Sequence, residues 1–282
     1  METQSLMTPQ ERAHFLEHGY VLLKGAFSRE WALNEVREQF KANGMDADKP
    51  ETWREHRMSL PSTKYFSTRE VAPRLYDAAC EILGGEERMQ SGHQFDNAVT
   101  ACCFTGEGES WEAPDENCGW HKDGWFFRHF LNSPDQALLS LPLWSDVVPQ
   151  GGGTFIAPQS VGVVARFLAD HPEGVHPSKF PWRDLIKQCP QRMEAVGQAG
   201  DVYLMHGFML HTTSRNPQRK LRCISNDIFS LKEPLQLNRA DGNYSLVEQG
   251  VLRGLNKANY DFHPTRERLR TLDRSMLPME NQ

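Results

Sequence analysis

The sequence lacks most of the features that place a protein quickly. No run of residues is long and apolar enough to span a bilayer, and the opening METQSLMTPQERAHF has no apolar core such as a secretory signal needs. No block of like charge occurs. The net charge of −6 arises from 31 basic and 37 acidic residues spread along the chain, which argues against nucleic acid or a membrane surface as partner. The six cysteines (Cys80, Cys102, Cys103, Cys118, Cys189, Cys223) are scattered, and none forms a CxxC pair. A chain of 282 residues buries a core without disulfide staples, so reduced thiols and a cytoplasmic location are expected. Zinc-finger spacing is missing. So are the Walker phosphate loop and GxGxxG: GGGTF at 151–155 has neither the lysine nor the following helix they require. Repeats and low-complexity tracts are also absent. A small-molecule substrate is the expectation left standing; nothing decides between a monomer and a homodimer.

What is present changes texture along the chain. MTPQERAHFLEHGYVLLKGAF opens with Thr8 and Pro9, an N-cap and first-turn pair, and Gly19 ends a helix carrying Phe15 and Leu16. YVLLKGAF then reads as a strand. SREWALNEVREQFKANG is a second helix, capped by Ser28 and stopped at Gly44. APRLYDAACEILGG is a third, with Leu75, Ala79 and Leu83 at helical spacing. After Gly85 short apolar or alternating segments take over: FDNAVTACCF, QALLSLPLWSDV, GTFIAPQSV, DVYLMHGFMLHTT and LRCISNDIF, punctuated by Gly, Pro, Asn and Asp. That pattern predicts strands of a sandwich or barrel. GVVARFLADH and WRDLIKQC interrupt them as helices, and SLVEQGVLRGLNK and PTRERLRTLDRSM are expected to be helical again. The division is a helical part over about 1–90, a β core over about 91–231 and a helical extension over about 232–282, all in one domain.

CGWHKDGWFF, residues 118–127, sets His121 and Asp123 two residues apart. In extended backbone such residues point the same way, so an imidazole and a carboxylate face one ion. Two ligands hold a metal poorly, and HxD alone is a weak signal. A third ligand is available from GDVYLMHGFMLHTTSRNPQRKLR, which carries His206 and His211. Two histidines and one carboxylate leave coordination positions open, the donor set of non-haem Fe(II) sites that bind oxygen and an organic ligand.

These segments, in this order, resemble the phytanoyl-CoA dioxygenase family of Fe(II)/2-oxoglutarate-dependent oxygenases, over roughly residues 8–229. LMTPQERAHFLEHGYVLLKGAFSRE is similar to the family's helix-then-strand entry, GWHKD to its proximal motif, and GDVYLMHGFMLHTTSRN to its distal one. LPLWSDVVPQGGGTFIAPQS resembles the stretch where a strand runs into a glycine-rich turn, although APQSV lacks the family's usual glycine and histidine. The resemblance implies a double-stranded β-helix, that is a cupin-like jelly-roll core with flanking helices. It implies His121, Asp123 and His211 as catalytic metal ligands, with His206 left structural, and Fe(II), 2-oxoglutarate and O2 as cofactor and cosubstrates. The cation for the far carboxylate of 2-oxoglutarate falls eleven positions after His211, on Arg222. A guanidinium suits that task through two parallel hydrogen bonds. Arg222 sits in KLRCISNDI, expected to be a strand lying beside that of His211, whereas Arg219 lies in the turn NPQRK.

Around this frame Thr213, facing the same way as His211, is expected to add a hydroxyl to the cosubstrate carboxylate. Gln94, ahead of the first core strand, is expected to face the cofactor pocket. Trp144 falls where the family carries a residue near the cosubstrate and is counted with that set, against a competing reading as core. Trp125 and Phe127 either alternate inward as core or line the substrate mouth. Cys102 and Cys103 are read as packing. The implied reaction is oxidation, foremost hydroxylation, of a C–H bond in a small organic molecule, with release of succinate and CO2. Because Asp123 is present, halogenation, which in the family needs a small residue there, is disfavoured. No basic cluster marks a CoA site, so secondary metabolism is favoured over acyl-CoA hydroxylation. A cupin-like metal enzyme working without 2-oxoglutarate and a redox-inactive binding protein are the other classes; an intact triad and Arg222 weigh against both.

Overall fold

The computed structural model describes residues 7–54, 57–60, 63–96, 99–103, 108 and 110–269, with backbone only for residues 57, 96 and 99–103. In chain order the elements are α1 (Pro9–His18), β1 (Tyr20–Leu23), α2 (Arg29–Ala42), β2 (Arg57–Leu60), β3 (Tyr65–Ser67), α3 (Thr68–Val71), α4 (Pro73–Leu83), β4 (Gln94–Asp96), β5 (Val99–Cys103), β6 (Leu138–Pro142), β7 (Thr154–Ala157), α5 (Ser160–Ala169), α6 (Trp182–Ile186), β8 (Met193–Glu194), β9 (Val202–His206), β10 (Leu210–Thr213), β11 (Cys223–Ile224), β12 (Asp227–Phe229) and α7 (Leu246–Leu255).

The helix ends follow from local chemistry. Thr8 and Glu11 close a capping box on α1, Pro9 occupies its first turn, and Gly19 terminates it in the left-handed region. Ser28 caps α2 by accepting from Trp31 N. Ser245 and Glu248 form a second capping box on α7, and the fully buried Glu248 is paired with Arg88 at 2.6 Å. The apolar faces then dictate packing: Leu75, Ala79 and Leu83 of α4 are buried, and α7 packs against α5, α1 and α4. Where α5 meets α7 the backbones nearly touch. A Cβ on Gly254 would lie 2.6 Å from the Cα of Gly162, so this crossing requires glycine.

The strand pairs are all antiparallel. One sheet runs β1-β9-β6-β12; two three-stranded sheets run β10-β7-β8 and β11-β5-β2; β3 pairs with β4. Leu138–Pro142 of β6, between β9 and β12, is buried at every position, which is why LLSLP reads as continuous rather than alternating. Short antiparallel strands in opposed sheets, wrapped by helices, make this a jelly-roll core.

Three expectations need correction. The part before residue 90 holds more strand than the one expected at YVLLKGAF: besides β1, which pairs with β9 inside the large sheet, β2 pairs with β5 and β3 with β4. β11 does not lie beside the His211 strand; it pairs with β5, while β10 pairs with β7. The described part of PTRERLRTLDRSM, residues 264–269, is not helical. Its backbone groups bond to loops instead, Thr265 N to Pro172 O at 2.8 Å and Leu269 O to Arg128 N at 3.0 Å. The side chains of Cys102 and Cys103 lie outside what the structure describes. Among the described residues no helix is long and apolar enough to cross a membrane.

Candidate metal centre

The site is assembled by a backbone bridge. His121 N donates to His211 O at 3.0 Å and His211 N to His121 O at 2.8 Å, which sets the loop before β6 against β10. Thr212, whose side chain points to the other face of β10, donates its hydroxyl to Cys118 O and ties down the loop's start. The loop bends at Asp123, so His121 and Asp123 both turn toward His211. Asp123 Oδ1 lies 3.7 Å from His121 Nε2 and 3.6 Å from His211 Nε2. One ligand atom from each of the three residues falls within 4.8 Å of the others.

The tautomers follow from the partners. His121 Nδ1 lies 2.8 Å from Gly119 O and His211 Nδ1 lies 3.1 Å from Met209 O. A carbonyl only accepts, so each Nδ1 carries a hydrogen and each Nε2 is the atom that would give its lone pair to a bound metal. The Nε2 of His211 is buried and hydrogen-bonds to nothing. A buried nitrogen left bare beside a carboxylate fits a metal ligand, and two imidazoles with one carboxylate suit a first-row transition metal. Burial opposes ionisation of Asp123, but His211, then His121 and Lys122, outweigh it and hold the carboxyl well below the usual carboxylate range. Asn226 Nδ2 donates to Asp123 Oδ2 at 3.3 Å and orients that carboxylate from the outside.

His206 is not in the cluster. Phe208 N donates to its Nδ1 at 3.0 Å and its Nε2 meets Val247 O at 3.2 Å, so one nitrogen fixes the turn after β9 and the other ties it to α7. Burial pushes its pKa down to about 4, which keeps it neutral.

Arg222, one residue before β11, is buried, and its Nη2 donates to Thr154 Oγ1 at 2.7 Å. Thr154 stands directly opposite Thr213 in the β7–β10 pair, and Ile156 opposite His211. Facing residues in an antiparallel pair share a side of the sheet, so Thr154, Thr213 and His211 project the same way. The guanidinium therefore reaches the His211 side through Thr154 on β7 rather than from a strand neighbouring β10. Arg219 sits apart, in a left-handed turn at φ 52°.

The other expected residues are not brought to the triad. Trp144 is fully buried against Phe27, Trp31 and Phe95, with ring centroids 5.2–5.3 Å away, and its Nε1 donates to Ser225 Oγ at 2.9 Å. That is a core position, and the cofactor-contact reading of Trp144 is corrected. Gln94 is exposed and lines a pocket of about 380 Å³ together with His93 and Asn226, so it neighbours the partner of Asp123 rather than the triad. Trp125 and Phe127 do not alternate, because 125–126 is a turn: Trp125 is 43% exposed and Phe127 is buried. Sequence reasoning missed Lys122, Thr154 and Asn226. Thr154 lies three strands ahead of the His211 strand in the chain and meets it only through pairing, so neither it nor Asn226 had a local signal.

No protein-family model matches the sequence, and no curated protein is found as a relative. Solved structures do match. EctD from S. alaskensis with bound Fe is similar with a TM-score of 0.50 at 15% identity, over 95% of this chain and 90% of that one. The apoform of the same protein gives 0.51 at 16% identity, over 96% and 89%. The non-heme alpha ketoglutarate dependent carbocyclase SnoK from nogalamycin biosynthesis gives 0.49 at 13% identity, over 83% and 89%. At such identity the likeness to EctD shows the fold alone, a jelly roll with flanking helices spanning almost the whole chain.

Proposed function

We propose that the chain is one oxygenase domain, dependent on Fe(II) and 2-oxoglutarate and belonging with the phytanoyl-CoA dioxygenases, which oxidises a C–H bond of a small organic substrate. The observation that carries this reading is the bare, buried Nε2 of His211 facing Asp123 and His121, with buried Arg222 anchored to Thr154 on the same side of the sheet. His121 Nε2, Asp123 Oδ1 and His211 Nε2 are the atoms that would hold the iron. When bound, iron with 2-oxoglutarate and O2 supplies a two-electron oxidation of substrate, coupled to loss of CO2 and release of succinate.

The protein's own groups do the rest. Arg222 offers a fixed cationic fork to a dicarboxylate's far end, and Thr154 and Thr213 offer hydroxyls beside it. The side chain of His211 is 5% exposed and those of His121 and Asp123 are 37% and 22% exposed, so the site is closed behind His211 and open past the HxD loop. Substrate enters from that open side, next to Asn226 and Gln94. Walls of β7 and β10 exclude water from the opposite side, which strengthens the charge interactions around Asp123.

The test is anaerobic titration of Fe(II)-loaded protein with 2-oxoglutarate, followed by its visible charge-transfer absorption. A band that saturates, and that Arg222→Ala shifts to higher 2-oxoglutarate concentration, supports the reading. Iron binding with no band would leave a metal enzyme that does not use this cosubstrate.

A further inference from the structure

Lys122 stands between two of the metal ligands in sequence, yet its side chain leaves the cluster. It is 5% exposed, and its Nζ ends 2.6 Å from His129 Nδ1, 3.0 Å from the main-chain oxygen of Asp123 and 3.4 Å from Gln136 Oε1, over the ring of Phe127. These hydrogen-bond acceptors are all formally uncharged. Burying an ammonium this way is unfavourable, and an apolar side chain of similar length would fill the space at lower cost. What the amine does is join three segments. Asp123 is the ligand itself. His129 exchanges two backbone hydrogen bonds with Val175, at 2.9 and 2.8 Å. Gln136 leads into β6, the buried centre of the large sheet.

We propose that Lys122 is the positioning residue of the metal centre: by tying the backbone of Asp123 to His129 and Gln136, it sets the loop so that His121 and Asp123 face His211 before a metal arrives. The proposal rests on the metal-centre reading above. The loop is held from its other face by the Thr212–Cys118 bond and by the His121–His211 bridge, so Lys122 supplies the third fixed point.

The test is Co(II) titration of the metal-free full chain, comparing wild type, Lys122→Met and Gln136→Leu, with the visible Co(II) absorption, the dissociation constant and the melting temperature as readouts. Lys122→Met removes the amine and keeps the length. We expect it to fold with an unchanged or higher melting temperature and to bind Co(II) about 10–100-fold more weakly, with an altered visible band. Gln136→Leu, which breaks the tie from the β6 side without touching the loop, weakens Co(II) binding in the same direction by more than about threefold. A folded Lys122→Met whose Co(II) affinity stays within about threefold of wild type overturns the proposal and leaves the metal-centre reading standing. Wild type that binds no Co(II) overturns both. If Lys122→Met does not fold, Gln136→Leu decides by the same threshold.

Discussion

His121 and His211 exchange two backbone hydrogen bonds, of 3.0 and 2.8 Å, and their rings lie 4.6 Å apart between centroids. Two candidate ligands distant in sequence are thus set by the register of a bridge. In an antiparallel pair a slip of one residue would turn one imidazole to the other face, so the geometry is decided once the loop pairs with β10.

Because the bridge is main-chain, removing the side chains should spare the fold. His121→Ala, Asp123→Ala and His211→Ala are each expected to abolish Co(II) or Fe(II) binding while keeping the native circular dichroism. His206→Ala should do the reverse: metal binding persists and stability falls by about 1–3 kcal/mol, because Phe208 N and Val247 O lose buried partners. Calorimetric metal titration and thermal melts separate the two classes. Wild-type metal affinity in His211→Ala would sink the ligand assignment.

Arg222 and Thr154 are expected to act on one ligand. Arg222→Ala should raise the half-saturating 2-oxoglutarate concentration at least about 30-fold, as loss of a buried charge-assisted pair does. Thr154→Val should raise it about 3–10-fold, the value of one hydrogen bond. Arg222→Lys should recover only part of the loss, because an ammonium lacks the planar fork. The charge-transfer titration reads all three, and no change with Thr154→Val would place the cosubstrate elsewhere.

Gly124 follows the ligand loop at φ +110°, and a Cβ there would come within 2.8 Å of the His129 ring and closer still to Phe127. Gly124→Ala therefore combines an unfavourable backbone with a clash. It is expected to cost at least about 1–3 kcal/mol by denaturant unfolding and to weaken metal binding, since the bend after Asp123 shifts.

Acid should destabilise the fold through two histidines held neutral by their surroundings, the buried His206 and the half-buried His93. Burial lowers the pKa of His206 and His93 from 6.5 to about 4. Between these values the unfolded chain binds more protons than the native one, so stability rises with pH through this window and is lost as pH falls from about 6.5 toward about 4. Each histidine adds a slope of up to about 1.4 kcal/mol per pH unit. His206→Gln should flatten the pH dependence of urea-unfolding stability over that range; an unaltered slope would contradict the assignment.

Much of the site was legible because its signals are local. HxD needs only extended backbone and a bend, and the caps at Thr8, Ser28 and Ser245 involve residues three positions apart. Arg222 is buried on the His211 side, and it arrives there through Thr154, because β11 pairs with β5. Trp125 and Phe127 could not be assigned from alternation, since the turn at 125–126 removes the period on which alternation depends. Residues 264–269, the described part of the helix expected over 264–276, bond instead to loops far along the chain, which no local pattern encodes.

The sequence by itself determined the short-range chemistry: where helices start and stop, that strands dominate the middle, and which residue types stand ready for a metal. Those are properties of neighbours within a few residues. Only the tertiary structure decided which histidine faces Asp123, that His206 spends both nitrogens on the main chain, that Trp144 is core, and that Lys122, Thr154 and Asn226 belong beside the site. These outcomes depend on which strands pair and in which register, a choice made by burying the whole apolar surface at once rather than by any single segment.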